Sequence, residues 1–267
     1  VTLRSFIDDV GSPDRTIAVV ADGDTGPLAE MLADAFDGQS IAVDTDAAVS
    51  LDTDLDPELE GALAAAGDTA VLLEDGEPIA ASPMGELYDA ILAINSDLFV
   101  TGARGMGEIE FPDVLAGLEG IRLRLRGYPL AHKEKLLLIV VSRYIEQRAW
   151  AAGSGTLYSA FQRLSRIDDE IGTYETYAQL AETDVDVHVY GIDDGCPPEL
   201  GTTVHTGTGP EYRDGWFVIY DPDDRTPPDA VGTALVCLET EPRVWDAVWT
   251  TDPDRISRIA DYVAREL

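Results

Sequence analysis

Residues 121–155 read IRLRLRGYPLAHKEKLLLIVVSRYIEQRAWAAGSG. The first six alternate without exception. Ile121, Leu123 and Leu125 fall on one face of a strand and Arg122, Arg124 and Arg126 on the other, the period-two pattern of a half-buried β-strand. After Gly127-Tyr128-Pro129 the pattern changes. Residues 133–152 run on without Gly or Pro, are too long for a strand and are apolar nearly all round in their first half, which predicts a helix buried in the middle of the molecule. Gly153-Ser154-Gly155 ends it. A strand and a buried helix in succession point to a mixed α/β fold.

Working outward, the first half shows alternating elements. Thr2 caps a predicted short helix whose Leu3, Phe6, Ile7 and Val10 share one face. Residues 16–21 and 40–44 read as strands around a helix at 27–36, a β-α-β unit, and 58–66 as a further helix. Residues 69–73 and 78–81 flank the turn signal Asp75-Gly76, and a helix at 84–95 precedes a strand at 98–101. Downstream, a second long helix is predicted at 167–182. Strands follow at 185–191, 216–220, 233–238 and 247–250, with a terminal helix at 253–267. Residues 192–214 read as a long loop. The second half is therefore expected to be an antiparallel or mixed sheet with long helices. The division is 1–83 as an N-terminal α/β portion and 84–267 as the second unit, or one continuous domain over 1–267.

Composition narrows the setting. The 267 residues carry 51 Asp+Glu against 18 Lys+Arg, a formal charge of -33, and only two of the cations are lysines, Lys133 and Lys135. Self-repulsion of that size weakens a compact state at low ionic strength, whereas molar salt shortens the screening length to about 3 Å. The acids are spread along the chain, so the acidity reads as adaptation to a salt-loaded cytoplasm of the haloarchaeal type. No apolar run approaches the roughly 20 residues of a bilayer span, so a soluble, cytoplasmic protein is expected. Two cysteines, Cys196 and Cys237, make neither a disulfide framework nor a zinc site.

Catalytic and cofactor motifs fail on their spacing. Asp52, Asp54 and Asp56 imitate a calcium loop, but Pro57 and Leu63 stand where Gly and a bidentate Glu are required. Gly102, Gly105 and Gly107 have a dinucleotide fingerprint's spacing reversed, with no Lys-Ser/Thr following as in a phosphate loop. Ser154 lacks the outer glycines of a nucleophile elbow. His188, His205 and Cys196 match no standard metal spacing. His132 reads as a surface histidine. No metal, nucleotide or other cofactor is predicted.

One distribution stands out. Half of the 18 cations lie between Arg122 and Arg166, accompanied by only Glu134 and Glu146. Two readings compete. The arginines pair internally with the surplus acids or lie along apolar surface, or they form one face for a small anionic ligand or an acidic protein partner, where planar bidentate donors still act at contact range. Nucleic acid is disfavoured, because phosphate affinity comes largely from counterion release that high salt suppresses. On the second reading Arg122, Arg124, Arg126 and Arg143 make the anion contacts. The aromatic residues concentrated in the second half are mostly core, with a subset available to line a pocket for a flat ligand.

Several motifs in this half resemble a known family. The run Ser142-Arg143-Tyr144-Ile145-Glu146, then Gly155-Thr156-Leu157 leading to Phe161-Gln162-Arg163, then Tyr174 and Tyr177, then Val187-His188-Val189-Tyr190, and finally Trp249-Thr250-x-Asp252, resemble the DICT domain, named for its occurrence with diguanylate cyclases and two-component systems. The resemblance covers roughly residues 84–267 and is most specific at Phe161-Gln162 and at Trp249-Thr250-x-Asp252. It implies a sensory or signal-relay role with no ligand that carries over, and it adds Phe161, Gln162, Tyr174, Trp249 and Asp252 to the candidate binding residues. No cyclase, kinase, receiver or DNA-binding segment accompanies them.

The expectation is a non-catalytic sensor, a stand-alone form of the family, that binds a small anionic ligand or an acidic partner and passes the signal to a separate output protein. A homo-oligomer is left open. A hydrolase or phosphoryl-handling enzyme using carboxylates and arginines, and a transcriptional regulator, are the rivals.

Overall fold

The computed structural model describes residues 2–11, 13–20, 27–36, 41–45, 59, 61, 67–95, 107, 111–126, 134–169, 171–195 and 200–267. Most of the predicted helix at 58–66, the strand at 98–101, the acid loop around Asp54, Gly102, Gly105, His132, Lys133 and Cys196 lie outside the described residues. The fold is mixed α+β with two mixed sheets.

In the first sheet, β1 (Arg15–Val20) pairs parallel with β2 (Ile41–Asp44), the crossover being α2 (Pro27–Phe36), and antiparallel with β3 (Thr69–Glu74). β3 turns through Asp75-Gly76 into β4 (Glu77–Pro83), giving the order β2-β1-β3-β4. α3 (Met84–Asn95) follows, then the short α4 (Asp113–Ala116). Ahead of this sheet stands α1 (Leu3–Asp8), whose Thr2 side chain accepts from Ser5 N while Ser5 caps Thr2 in return. That reciprocal box satisfies donors that the helix start leaves open.

The second sheet has seven strands. β5 (Leu123–Arg126) lies at one edge beside β11 (Val244–Thr250), then come β10 (Thr233–Glu241), β9 (Gly215–Asp221), β6 (Ser154–Arg163), β7 (Asp184–Ile192) and the opposite edge β8 (Thr203–Thr206). β6 runs antiparallel to β9 and parallel to β7, so the sheet is mixed. β6 and β8 are strands in stretches that the sequence pattern leaves unassigned or reads as loop. Within the long helix predicted at 167–182 the described helical residues are α6 (Arg166–Asp169) and α7 (Ile171–Leu180), and strands make up most of the second half. α8 (Pro210–Asp214) lies within the predicted loop, and α9 (Pro253–Glu266) closes the chain.

The helix that decides the fold is α5 (Glu134–Ala152). Its Leu138, Val141, Ile145 and Ala149 belong to one buried cluster with Ile17 and Leu72 of the first sheet and Leu157, Val218 and Leu235 of the second. Each Leu, Val or Ile among them contributes about 1.5–3 kcal/mol by leaving water, so α5 shares one core with both sheets while packing itself on the second sheet and on α3. Gly153 ends it at φ +71, a left-handed conformation that costs a glycine nothing. Two residues on, a Cβ at Gly155 would meet the Tyr220 ring at 2.9 Å and the Asp221 carbonyl at 3.0 Å, so close pairing of β6 with β9 requires glycine there. The other face of the seven-stranded sheet is covered by α1 and α9, through Leu3, Phe6, Ile7, Ile256, Ile259 and Val263.

Candidate functional site

Along α5, Ile139, Ser142, Arg143 and Glu146 recur at three- and four-residue spacing, so they share one helical stripe. That stripe faces the middle of the sheet, where Ser159 and Phe161 of β6 lie beside Trp216 and Val218 of β9. Helix-on-sheet packing is normally filled by large apolar side chains. Here Ser142, Ser159 and Thr173 occupy buried positions, and the space they leave is a slot of about 100 Å³.

The slot has a charged wall. Arg143 is 7% exposed; its Nη1 donates to Glu146 Oε2 at 2.8 Å and its Nη2 to Thr173 Oγ1 at 2.6 Å. The Tyr177 hydroxyl donates to the other Glu146 oxygen at 2.9 Å. Burial, and then the Glu146 charge, push the Tyr177 pKa well above its ordinary value, so the phenol stays protonated and keeps donating. Ser159 Oγ is fully enclosed beside Tyr177 and makes no hydrogen bond of ordinary geometry. A buried ion pair with one hydroxyl donor and one hydroxyl acceptor is costly to assemble and strongly destabilising to break.

At the mouth, β6 carries an irregularity between Ala160 and Arg163, and Gln162 takes φ +61 although it is not glycine. Non-glycine residues in this region store strain and gather at ligand-binding sites, as do such bulges. The distortion buries the Gln162 side chain, whose Oε1 accepts from Arg166 Nη1 at 2.6 Å and whose Nε2 donates to Glu239 Oε2 at 3.3 Å.

Three of the predicted binding residues therefore meet: Arg143, Phe161 and Gln162. The others do not join them. Arg122 donates to Asp8 and to the buried Asp246, whose Oδ2 also receives Arg4 at 3.0 Å. Arg124 pairs with Glu241 at 2.7 Å, and Arg126 stands with them on the edge strand. The single cationic face expected from residues 122–166 is divided: strand alternation sends Arg122, Arg124 and Arg126 to the sheet edge, among acids, while the helix carries Arg143 inward. Arg148 donates to Tyr144 and Arg163 lies 3.6 Å from Asp194. Tyr174 is exposed on α7, on a different side from its neighbour Thr173. Trp249 is core, edge-on to Phe111, and Asp252 caps α9 by accepting from Arg255 N at 2.8 Å. Glu119 holds Thr250 and Thr251 between them, so the terminal motif serves to turn β11 into α9.

Glu146, Ser159, Thr173 and Trp216 were not singled out as ligand contacts from sequence. A signal for the first is present, since Arg143 and Glu146 stand three apart on a helix and therefore share a face.

Residues 123–239, from β5 to β10, match the model of a family described as DICT, a sensory domain in diguanylate cyclases and two-component systems. This segment is similar to the DICT sensory domain. It contains every wall of the slot, including Phe161 and Gln162, whereas Trp249 and Asp252 fall beyond the match. No curated protein and no solved structure matches the chain. Among the described residues no group of three or more His, Cys, Asp or Glu is placed to hold a metal ion, and no helix is long and apolar enough to cross a membrane.

Proposed function

We propose that the protein is a non-catalytic sensory or signal-relay protein whose input is a small anionic ligand received in the slot between α5 and the β6–β9 strands. The observation that carries this reading is the Arg143–Glu146 pair, enclosed with buried hydroxyl side chains inside a segment of sensory-domain family. A purely structural core gains little from such a pair, since apolar residues of similar volume are often as stable. Arg143, Phe161 and Gln162 make the contacts, and Arg122, Arg124 and Arg126 take the remaining part of the anion- or partner-binding role only where a partner displaces their acids. Because α5 packs on the second sheet and on α3, which in turn packs against β4 of the first, a ligand that moves this helix acts on the first sheet through α3. The output passes to a separate protein, residues 1–267 act as one unit, and the acidic surface fits a high-salt cytoplasm.

The hydrolase reading asks for convergent carboxylates beside the arginines. Among the described residues lining the slot, Glu146 is the only carboxylate, and it is already held by Arg143 and Tyr177. The test is a small-molecule extract, fractionated and added to the protein in molar KCl while melting is followed. A fraction that raises the melting temperature of the native protein but not of a Ser159→Leu variant supports the reading. A fraction that acts equally on both, or Glu146-dependent turnover of an ester or phosphate substrate, overturns it.

A further inference from the structure

The slot's dimensions and charge narrow its ligand, a step that rests on the sensory reading above. A cavity of roughly 150 Å³ holds one benzene, so by volume the 100 Å³ here encloses about four non-hydrogen atoms, a functional group and little more. A nucleotide or sugar phosphate cannot be engulfed in that space. The charged side chains lining it are Arg143, Arg166 and Glu146, two guanidinium groups against one carboxylate. That balance leaves one net positive charge, which suits a single negative charge and not a dianionic phosphate. The flanking Phe161 and Trp216 offer an apolar shelf to whatever extends from the charged group.

We infer that the ligand is a short monocarboxylate, bound by exchange with Glu146 on the Arg143 guanidinium, its apolar body resting on Phe161 and Trp216. A carboxylate reproduces the geometry that Glu146 already presents, accepting from the planar fork. Glu146 retains the Tyr177 hydroxyl at 2.9 Å as it withdraws, so it is not left without a donor. Ser159 Oγ, enclosed and without a well-formed bond, gains an acceptor in the incoming oxygen. Arg143 and Glu146 stand on α5, so the exchange acts on the helix that packs on the second sheet and on α3.

Calorimetry in molar KCl with propionate, its neutral isostere propionamide, and GMP tests this. Propionate should bind at least tenfold tighter than propionamide, and GMP should not compete. The double variant Arg143→Met/Glu146→Leu removes both charges together, so that neither is stranded, at the cost of the Tyr177 and Thr173 hydroxyl contacts; it should lose at least tenfold in propionate affinity and keep a cooperative melt. Arg143→Lys keeps the charge without the fork and should bind propionate several-fold more weakly, which covers the case where the double variant does not fold. Equal binding of propionate and propionamide, unchanged affinity in both Arg143 variants, competition by GMP, or no binding of propionate to the native protein each overturn the carboxylate assignment while leaving the slot as a site. Propionate binding that survives Ser159→Leu instead removes the slot itself.

Discussion

The arginines at 122–126, in and just before β5, and Arg143 of α5 are about twenty residues apart in sequence and belong to different physical regimes. Arg122 and Arg124 are 39% and 53% exposed and meet Asp8, Asp246 and Glu241 at the sheet edge. Where both partners are exposed, as in Arg124–Glu241 and Arg122–Asp8, pairing is worth at most about 1 kcal/mol, and a charged edge strand mainly prevents another sheet from adding to it. Arg143 makes the same kind of contact where water is excluded, and its partner cannot leave without a replacement. Clustering of charge along a chain is thus a poor guide to clustering in space. Period two sends alternate residues to an edge face, whereas a period of 3.6 turns a lone arginine into the core.

The contrast breaks most sharply at Glu146. Replacing it with Ala strands the Arg143 guanidinium in the core and should cost about 3–5 kcal/mol, read from denaturant unfolding. The double variant Arg143→Met/Glu146→Leu should recover most of that loss. If Glu146→Ala costs less than about 1 kcal/mol, the slot is wetter than its burial implies and the two arginine sites are energetically alike. Tyr177→Phe is the milder version. It removes the donor to one Glu146 oxygen and leaves the ion pair in place, for an expected loss of about 1.5–3 kcal/mol.

The same slot explains what the sequence conceals. α5, β5, α1 and the β1-α2-β2 unit follow from periodicity, because each presents a continuous apolar face to one neighbour. β6 does not. Its inward positions read Leu157, Ser159, Phe161, and the serine that interrupts the apolar alternation is the residue that opens the cavity. A strand lined for a ligand loses the pattern by which strands are recognised. Arg143, Phe161 and Gln162 are legible as candidates, but the partners that make them a site come from α7 and β9, and no local spacing records that meeting. Arg122, Arg124 and Arg126 show the converse, a strong local signal for an anion face that tertiary pairing disperses.

The opposite edge of the sheet lies between these extremes. His188 Nδ1 on β7 sits 2.9 Å from His205 Nε2 on β8, and the His205 ring stacks on Tyr190 at 4.3 Å. Burial lowers both histidine pKa values, with the neighbouring His188 lowering His205 further and Asp186 partly offsetting the shift at His188. The folded state therefore resists protonation that the unfolded chain accepts at about 6.5. Stability contributed by the pair is complete at higher pH and is lost as pH falls through 6.5 toward the lowered folded values. Hydrogen-exchange protection at residues 203–206, taken relative to the intrinsic exchange rate at each pH, should fall as pH drops through that window, and His205→Asn should flatten the dependence. Protection that is indifferent to pH there would place this edge with β5, as a surface feature only.

The smallest effect should come from Arg124→Gln. Its partner Glu241 is 65% exposed, so the variant should lose no more than about 1 kcal/mol at low salt, and the difference from native should vanish in molar KCl as screening contracts to about 3 Å. Salt is the informative variable. The Glu146→Ala loss, arising from an uncompensated charge inside the protein, should persist at every salt concentration, because ions do not screen what solvent does not reach. Parallel salt titrations of the two variants thus separate the sites without reference to any ligand. Convergence of both on native stability at high salt would mean that the α5 pair behaves as a surface contact, and a persistent loss in Arg124→Gln would mean that the edge arginines hold more of the fold than their exposure suggests.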